Sequence, residues 1–184
     1  MPPRFLLLVL LLTFSCISCT TYSQPKNSIH WTECGFEIGD HACDFSLIAQ
    51  NGQPWNLYHH YGSVVVLDFS TTWCYPCQLA ARSIPSVVSE KSELVNFNYV
   101  TILLQDNQGN SPPPLNILEI WALRFSINSP VLAGDRVLAN SNAWNVSNLP
   151  TFYILNKDLI IVDILVGYNE QALNRSINSA IESF

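Results

Sequence analysis

The sequence predicts an α/β domain on a mixed central sheet, with helices on both faces and a hairpin extension at its N-terminal side. Three observations carry this. Val64-Val65-Val66-Leu67-Asp68-Phe69 is an apolar, β-branched run, the pattern of a central strand covered on both faces. Helical and extended patterns then alternate along the chain. Two extended segments near the C-terminus, joined by Asn156-Lys157-Asp158, precede a last amphipathic stretch.

The elements follow in order. Phe45-Ser46-Leu47-Ile48 alternates as a short strand, Asn51-Gly52 is a turn signal, and Trp55-Asn56-Leu57 is the returning strand. Behind the central strand comes Cys74-Tyr75-Pro76-Cys77, and Gln78 opens a helix running through Val87-Val88 toward Leu94, with Pro85 expected to kink it. Phe97 to Leu104 is a second core strand. Ser111-Pro112-Pro113-Pro114 is stiff and non-helical, and a helix follows from Leu115 to Phe125 with Leu115, Leu118, Trp121, Ala122 and Phe125 on one face. Ser129 to Leu132 reads as a short extended piece and Asn142 to Val146 as one helical turn. Thr151 to Leu155 and Leu159 to Val166 form an antiparallel pair ended by Gly167. Asn169 to Phe184 closes the domain as a helix with Leu173, Ile177, Ala180 and Ile181 inward.

Composition bounds the function. The chain has 184 residues, 48% of them hydrophobic, which suits one domain with a substantial core behind a short leader. A net charge of −6 with only 8 Lys and Arg argues against nucleic-acid binding, which needs a basic face. A monomer is the expected state.

Residues 1–18 read as a signal peptide: Arg4 supplies a basic start, Phe5 to Phe14 is a short apolar core, and small residues follow. The apolar run falls short of the roughly 20 residues a spanning helix needs, so a retained anchor is the weaker alternative. Ile17-Ser18-Cys19 resembles the end of a bacterial lipobox, which would make Cys19 the lipidated N-terminus. Of six cysteines, loss of Cys16 and lipidation of Cys19 leave Cys34, Cys43, Cys74 and Cys77, an even set. Residues 19–33 then form a tether and 34–184 the domain, held outside the cytoplasm at a membrane by lipid or, alternatively, secreted.

In an oxidising compartment Cys34 and Cys43 are close enough in sequence to pair, a bridge worth about 2–3 kcal/mol on the chain-entropy model. Two unrelated buried thiols are the alternative. No metal site is expected, since neither a second CxxC nor a matching His pair accompanies them, and His59-His60 read as strand neighbours facing opposite ways.

Two cysteines separated by two residues can close a small disulfide ring and reopen it. Placing Cys74 at a helix N-terminus favours its thiolate, because unpaired N–H groups and the helix dipole point at the sulfur. Cys74 is the expected exposed nucleophile and Cys77 the sheltered resolving sulfur. Asp68 is the expected proton acceptor, a buried carboxylate with a raised pKa. A static disulfide or a zinc half-site is the alternative for the pair, and a strand-end hydrogen-bonding role the alternative for Asp68.

Three segments resemble the thioredoxin-fold thiol–disulfide oxidoreductases of the TlpA/ResA kind and the wider redoxin (AhpC/TSA) group. These are Ile38-Gly39-Asp40-His41-Ala42-Cys43-Asp44-Phe45-Ser46-Leu47; Val65 through Cys77; and Asn148-Leu149-Pro150-Thr151-Phe152-Tyr153-Ile154-Leu155. The resemblance spans Ile38 to Ile181. It implies a thioredoxin-like fold, protein dithiols and disulfides plus an upstream redox protein as partners, and no cofactor. It also implies a cis bond before Pro150 that leaves the Leu149 backbone open to a substrate strand, with Trp73, Tyr75, Pro76, Leu149 and Thr151 shaping docking. The chain departs from the family pattern where Cys43 replaces a proline, where Ala80 stands in place of the glutamate of cytochrome-maturation reductases, and where the helix proline, Pro85, lies eight residues after the second cysteine rather than five. Asp68 matches the buried carboxylate of thioredoxins proper. A peroxide-reducing redoxin, with Thr71 three residues before Cys74, and a copper-handling module on the same fold are the alternatives.

Overall fold

The computed structural model describes residues 31, 33–140 and 143–183. The expected signal peptide, Cys16, Cys19 and nearly all of the expected tether lie outside the described residues, as do Asn142 and Phe184.

The elements are β1 (Ser46–Ile48), β2 (Pro54–Asn56), a 3-10 turn (Leu57–His60), β3 (Val64–Ser70), α1 (Tyr75–Ser92), β4 (Phe97–Leu103), α2 (Leu115–Arg124), β5 (Val131–Ala133), β6 (Thr151–Leu155), β7 (Ile161–Val166) and α3 (Glu170–Glu182). The central sheet has the order β5-β4-β3-β6-β7, and β1 and β2 form a separate antiparallel hairpin with Leu47 opposite Trp55. β3 pairs in parallel with β4 and antiparallel with β6, so the sheet is mixed. Every residue of β3 is buried, as its continuous apolar run requires.

Alternation along the strands divides the core in two. Val64 and Val66 of β3, Tyr99 and Leu103 of β4, and Phe152 and Ile154 of β6 face a layer formed by α1, α2 and α3. Val65, Leu67 and Phe69, with Val100, Ile102, Tyr153 and Leu155, face the other way. Helices lie on both faces but unequally: all three α-helices pack into the first layer, while the second is closed by the hairpin, the 3-10 turn (Leu57, Tyr58) and loop residues around Trp144. Parallel right-handed crossovers from β3 to β4 and from β4 to β5, both moving toward the same edge, put their helices on one face.

Several elements differ from expectation for local reasons. α1 starts at Tyr75, not Gln78, because Cys74 is its N-cap and Pro76 suits the first turn, where no N–H is required. α1 ends at Ser92 and runs through Pro85 as one helix. Leu115 is exposed at the start of α2, and Phe125 packs into the core as the C-cap. β7 begins at Ile161 because Leu159 takes positive φ (57°) in the turn after β6. Ala143 and Trp144 form a turn rather than a helix; Asn145 is left-handed (φ 46°) and Trp144 is fully buried against Phe36, Phe45, Phe69 and Tyr153. His59 and His60 sit on the 3-10 turn, not a strand, and His60 stacks on Trp55 at 4.6 Å.

Candidate functional site

The site lies at the C-terminal end of β3, where the chain leaves the sheet and enters α1. The intervening loop is fastened on both sides. Leu104 N–H donates to Ser70 C=O (2.9 Å), Thr72 N–H to Gln105 C=O (3.2 Å), and the Gln78 side chain to Thr72 C=O (2.9 Å). The Thr72 hydroxyl donates to Asn107 (2.6 Å). These bonds fix where the first cysteine stands.

Cys74 and Cys77 are joined by a disulfide. Cys74 caps α1, and its sulfur accepts the Cys77 backbone N–H at 3.2 Å. That donor and the helix dipole stabilise negative charge on Cys74 once the bond is opened. Cys74 is more covered than expected, 6% exposed against 0% for Cys77, because it packs into the helical layer of the core. The order of exposure is nevertheless the expected one. Trp73 and Tyr75 on either side are 53% and 64% exposed.

Asp68 is buried in the middle of the sheet. It lies opposite Thr101 of β4 and Phe152 of β6, and by alternation it projects into the layer that holds Val66, Phe152 and Cys77. The Ser70 hydroxyl donates to one carboxylate oxygen (2.6 Å) and the Tyr99 hydroxyl to the other (3.3 Å). Burial pushes the Asp68 carboxyl up to about 7, and the two hydroxyls partly oppose that rise. Burial and the neighbouring carboxylate push the Tyr99 phenol far up, so it stays a donor. Ser70 and Tyr99 were not identified from the sequence. Ser70 has a readable signal, a hydroxyl two residues along the same strand face; Tyr99 depends on the β3–β4 register.

The peptide bond between Leu149 and Pro150 is cis, and Pro150 is buried. Leu149 packs at the edge of the layer containing both cysteines. Thr151 begins β6, and its hydroxyl donates to Asn148 C=O at 2.7 Å. Among the described residues no hydrogen bond engages the Leu149 N–H or C=O. A groove lined by Trp73, Cys74, Tyr75, Pro76, Ser147, Asn148 and Leu149 runs over the disulfide. Two sequence segments far apart in the chain thus meet around one sulfur.

Cys34 and Cys43 are also joined by a disulfide. They lie away from this groove, where Gly39 N–H donates to Ile161 C=O (2.8 Å) and Ala42 N–H to Leu159 C=O (2.9 Å). Among the described residues there is no cluster of three or more His, Cys, Asp or Glu suited to a metal.

Residues 38–164 match the AhpC/TSA family over most of the folded domain. The chain belongs to that family. It is 30% identical over 138 residues to the thioredoxin-like protein YneN of Bacillus subtilis, covering 73% of this chain and 75% of that one. It is 32% identical over 162 residues to the thiol-disulfide oxidoreductase ResA of Geobacillus thermodenitrificans, covering 86% and 84%. Its fold superposes on a thiol:disulfide interchange protein of the thioredoxin family from Chlorobium tepidum with a TM-score of 0.63, at 21% identity, over 76% of this chain and 94% of the other. The protein is therefore a thioredoxin-fold thiol–disulfide oxidoreductase, and its Cys74–Cys77 pair lies where the segment ending at Cys77 meets the one containing Leu149-Pro150.

Proposed function

We propose that the protein exchanges electrons with protein dithiols and disulfides outside the cytoplasm through Cys74 and Cys77. One observation carries this reading: Cys74 caps α1, receives the Cys77 N–H, and borders an open groove beside Leu149.

The steps follow from the geometry. In the reduced enzyme the Cys74 thiolate attacks a partner disulfide; a mixed disulfide forms and the partner's other sulfur leaves as a thiolate. Cys77 gives its proton to ionised Asp68 and attacks the Cys74 sulfur. The mixed disulfide breaks, the internal disulfide forms, and the second partner sulfur leaves. Two electrons pass from the enzyme to the partner, and an upstream dithiol protein returns them. The same steps run backward oxidise a dithiol. An Asp68 titrating near neutrality suits this exchange, since it can hold or release the proton at working pH. A partner segment lying along the groove would pair with the Leu149 backbone, while Trp73, Tyr75, Pro76 and Thr151 border or support its path.

The N-terminal leader supports an extracytoplasmic location, with Cys19 as a lipidated anchor; the Cys34–Cys43 disulfide supports an oxidising compartment. Among the described residues no helix is long and apolar enough to cross a membrane.

The test is reduction of insulin or a mixed-disulfide peptide by the dithiol form, together with capture by Cys77→Ser, which should leave covalent complexes through Cys74. Full activity without capture in Cys77→Ser would refute the two-cysteine cycle. Rapid turnover of peroxide in the absence of protein disulfide would favour the redoxin alternative.

A further inference from the structure

The groove over the disulfide does not end at Leu149. A second hollow of about 360 Å³ shares Trp73, Ser147 and Leu149 with it and continues toward the loop after β5. Leu104, Ala139 and Val146 supply apolar lining, and Arg136, Gln105 and Asn140 supply polar lining. Thr71 also lines it, with a buried hydroxyl that has no hydrogen-bond partner.

Charge marks what this hollow suits. Neither part of the groove is lined by an aspartate or glutamate, although the chain carries 14 acidic residues against 8 Lys and Arg. Arg136 is its one cationic lining residue. It is exposed and has no ionic partner among the described residues. The adjacent Asp135 is engaged elsewhere, accepting the Leu138 N–H at 2.8 Å. A lone guanidinium beside apolar lining in an acidic protein complements a side chain with an apolar stem and a carboxylate tip.

We infer that this extension is a specificity pocket selecting protein substrates in which an acidic side chain, glutamate above all, lies a short extended stretch from the reactive cysteine. The inference rests on the proposed exchange with protein thiols. In a bound strand alternate side chains point to the same side, so the residue beside the cysteine would face away and one two or four positions off would enter the hollow. Arg136 is then a specificity residue that touches substrate.

The test uses the full chain in its dithiol form and disulfide peptides identical except for Glu, Gln or Lys placed one to four residues on either side of the cysteine. Expected is about a tenfold preference in kcat/KM for Glu over Lys at one register, weakening as salt rises, since a rim ion pair is worth a few-fold and is screened. Arg136→Glu should abolish or reverse that ratio. Arg175→Glu, the same charge change on the exposed face of α3, should preserve it. Equal turnover of the three peptides at every register, or a preference that survives Arg136→Glu, overturns the pocket while leaving the oxidoreductase reading in place. Failure to reduce any peptide overturns both.

Discussion

The two disulfides of this domain contain the same bond in opposite settings. Cys34–Cys43 closes a loop whose main chain is held independently, by Gly35 N–H on His41 C=O (2.9 Å) and by the bonds of Gly39 and Ala42 to the β6–β7 region. Phe36 within that loop packs on Trp144. Cys74–Cys77 caps a helix, has a backbone donor aimed at the outer sulfur and a titrating carboxylate on the same sheet face. Exposure alone would rank them wrongly: Cys34 is exposed, whereas Cys74 is 6% exposed. On the proposed cycle, what separates the working sulfur from the structural one is the stabilisation of its thiolate and a place for the proton to go.

Removing one bond and then the other gives the largest expected contrast. Cys74→Ser should lower disulfide-reducing turnover by more than a thousandfold, since no other sulfur borders the groove among the described residues. Replacing both Cys34 and Cys43 by Ser should leave turnover within about threefold. It should instead cost about 2–3 kcal/mol in urea unfolding, the value for a short closed loop. Comparable loss of turnover in both variants would mean that the N-terminal bridge belongs to the cycle.

A graded reduction sharpens the same contrast. In a glutathione or dithiothreitol series followed by alkylation and mass spectrometry, Cys74 and Cys77 should be labelled first. Cys34 and Cys43 should be labelled only at much stronger reducing poise, because the loop remains hydrogen-bonded around them. Simultaneous labelling would remove the distinction.

Asp68→Asn tests whether the proton acceptor is part of the difference. Turnover at pH 7 should fall roughly tenfold or more, the scale of a lost proton acceptor. Stability should move the other way. The folded carboxyl titrates at about 7, above its ordinary value of 3.8, so between these values the folded state binds more protons than the unfolded one. The wild type therefore loses stability as pH rises from about 4 to 7 and is level above that. Asn, which carries no charge to bury, should be more stable than Asp by on the order of 4 kcal/mol above pH 7 and by little below pH 4. A pH-independent difference would show that Asp68 does not titrate in this range.

The parts of this site that are local in the chain were legible. Cys74-Tyr75-Pro76-Cys77 behind an apolar run, and Leu149-Pro150 before a strand, carry their meaning in a few adjacent residues. The surroundings of Asp68 were not. Tyr99 reaches it only because β4 returns parallel to β3 after α1, setting Val66 opposite Tyr99 and Asp68 opposite Thr101, a register that no short window encodes. Trp144 was similarly hidden: it lies in a loop that a periodicity argument reads as a helical turn, yet it is a centre of the second core. Arg136 had no sequence signal, since a lone arginine gains meaning only from the groove that other segments build around it.

The smallest expected effect probes the most finely tuned part of the comparison, the hydrogen bond from Tyr99 to Asp68. That bond favours the ionised carboxylate and so holds Asp68 below the value that burial alone would impose. Tyr99→Phe removes the hydroxyl, keeps the ring in the core, and should move the Asp68 titration upward by less than about one unit, as expected for one hydrogen bond to a charged group. Because the proposed cycle needs Asp68 ionised to accept a proton, the rising limb of the pH–rate profile should shift upward with it. Turnover should then fall about two- to fivefold at pH 7 and recover by pH 9. A purely structural role for Tyr99 would lower the rate by the same factor at every pH, and an unshifted limb would assign the tuning of Asp68 to Ser70 and burial alone.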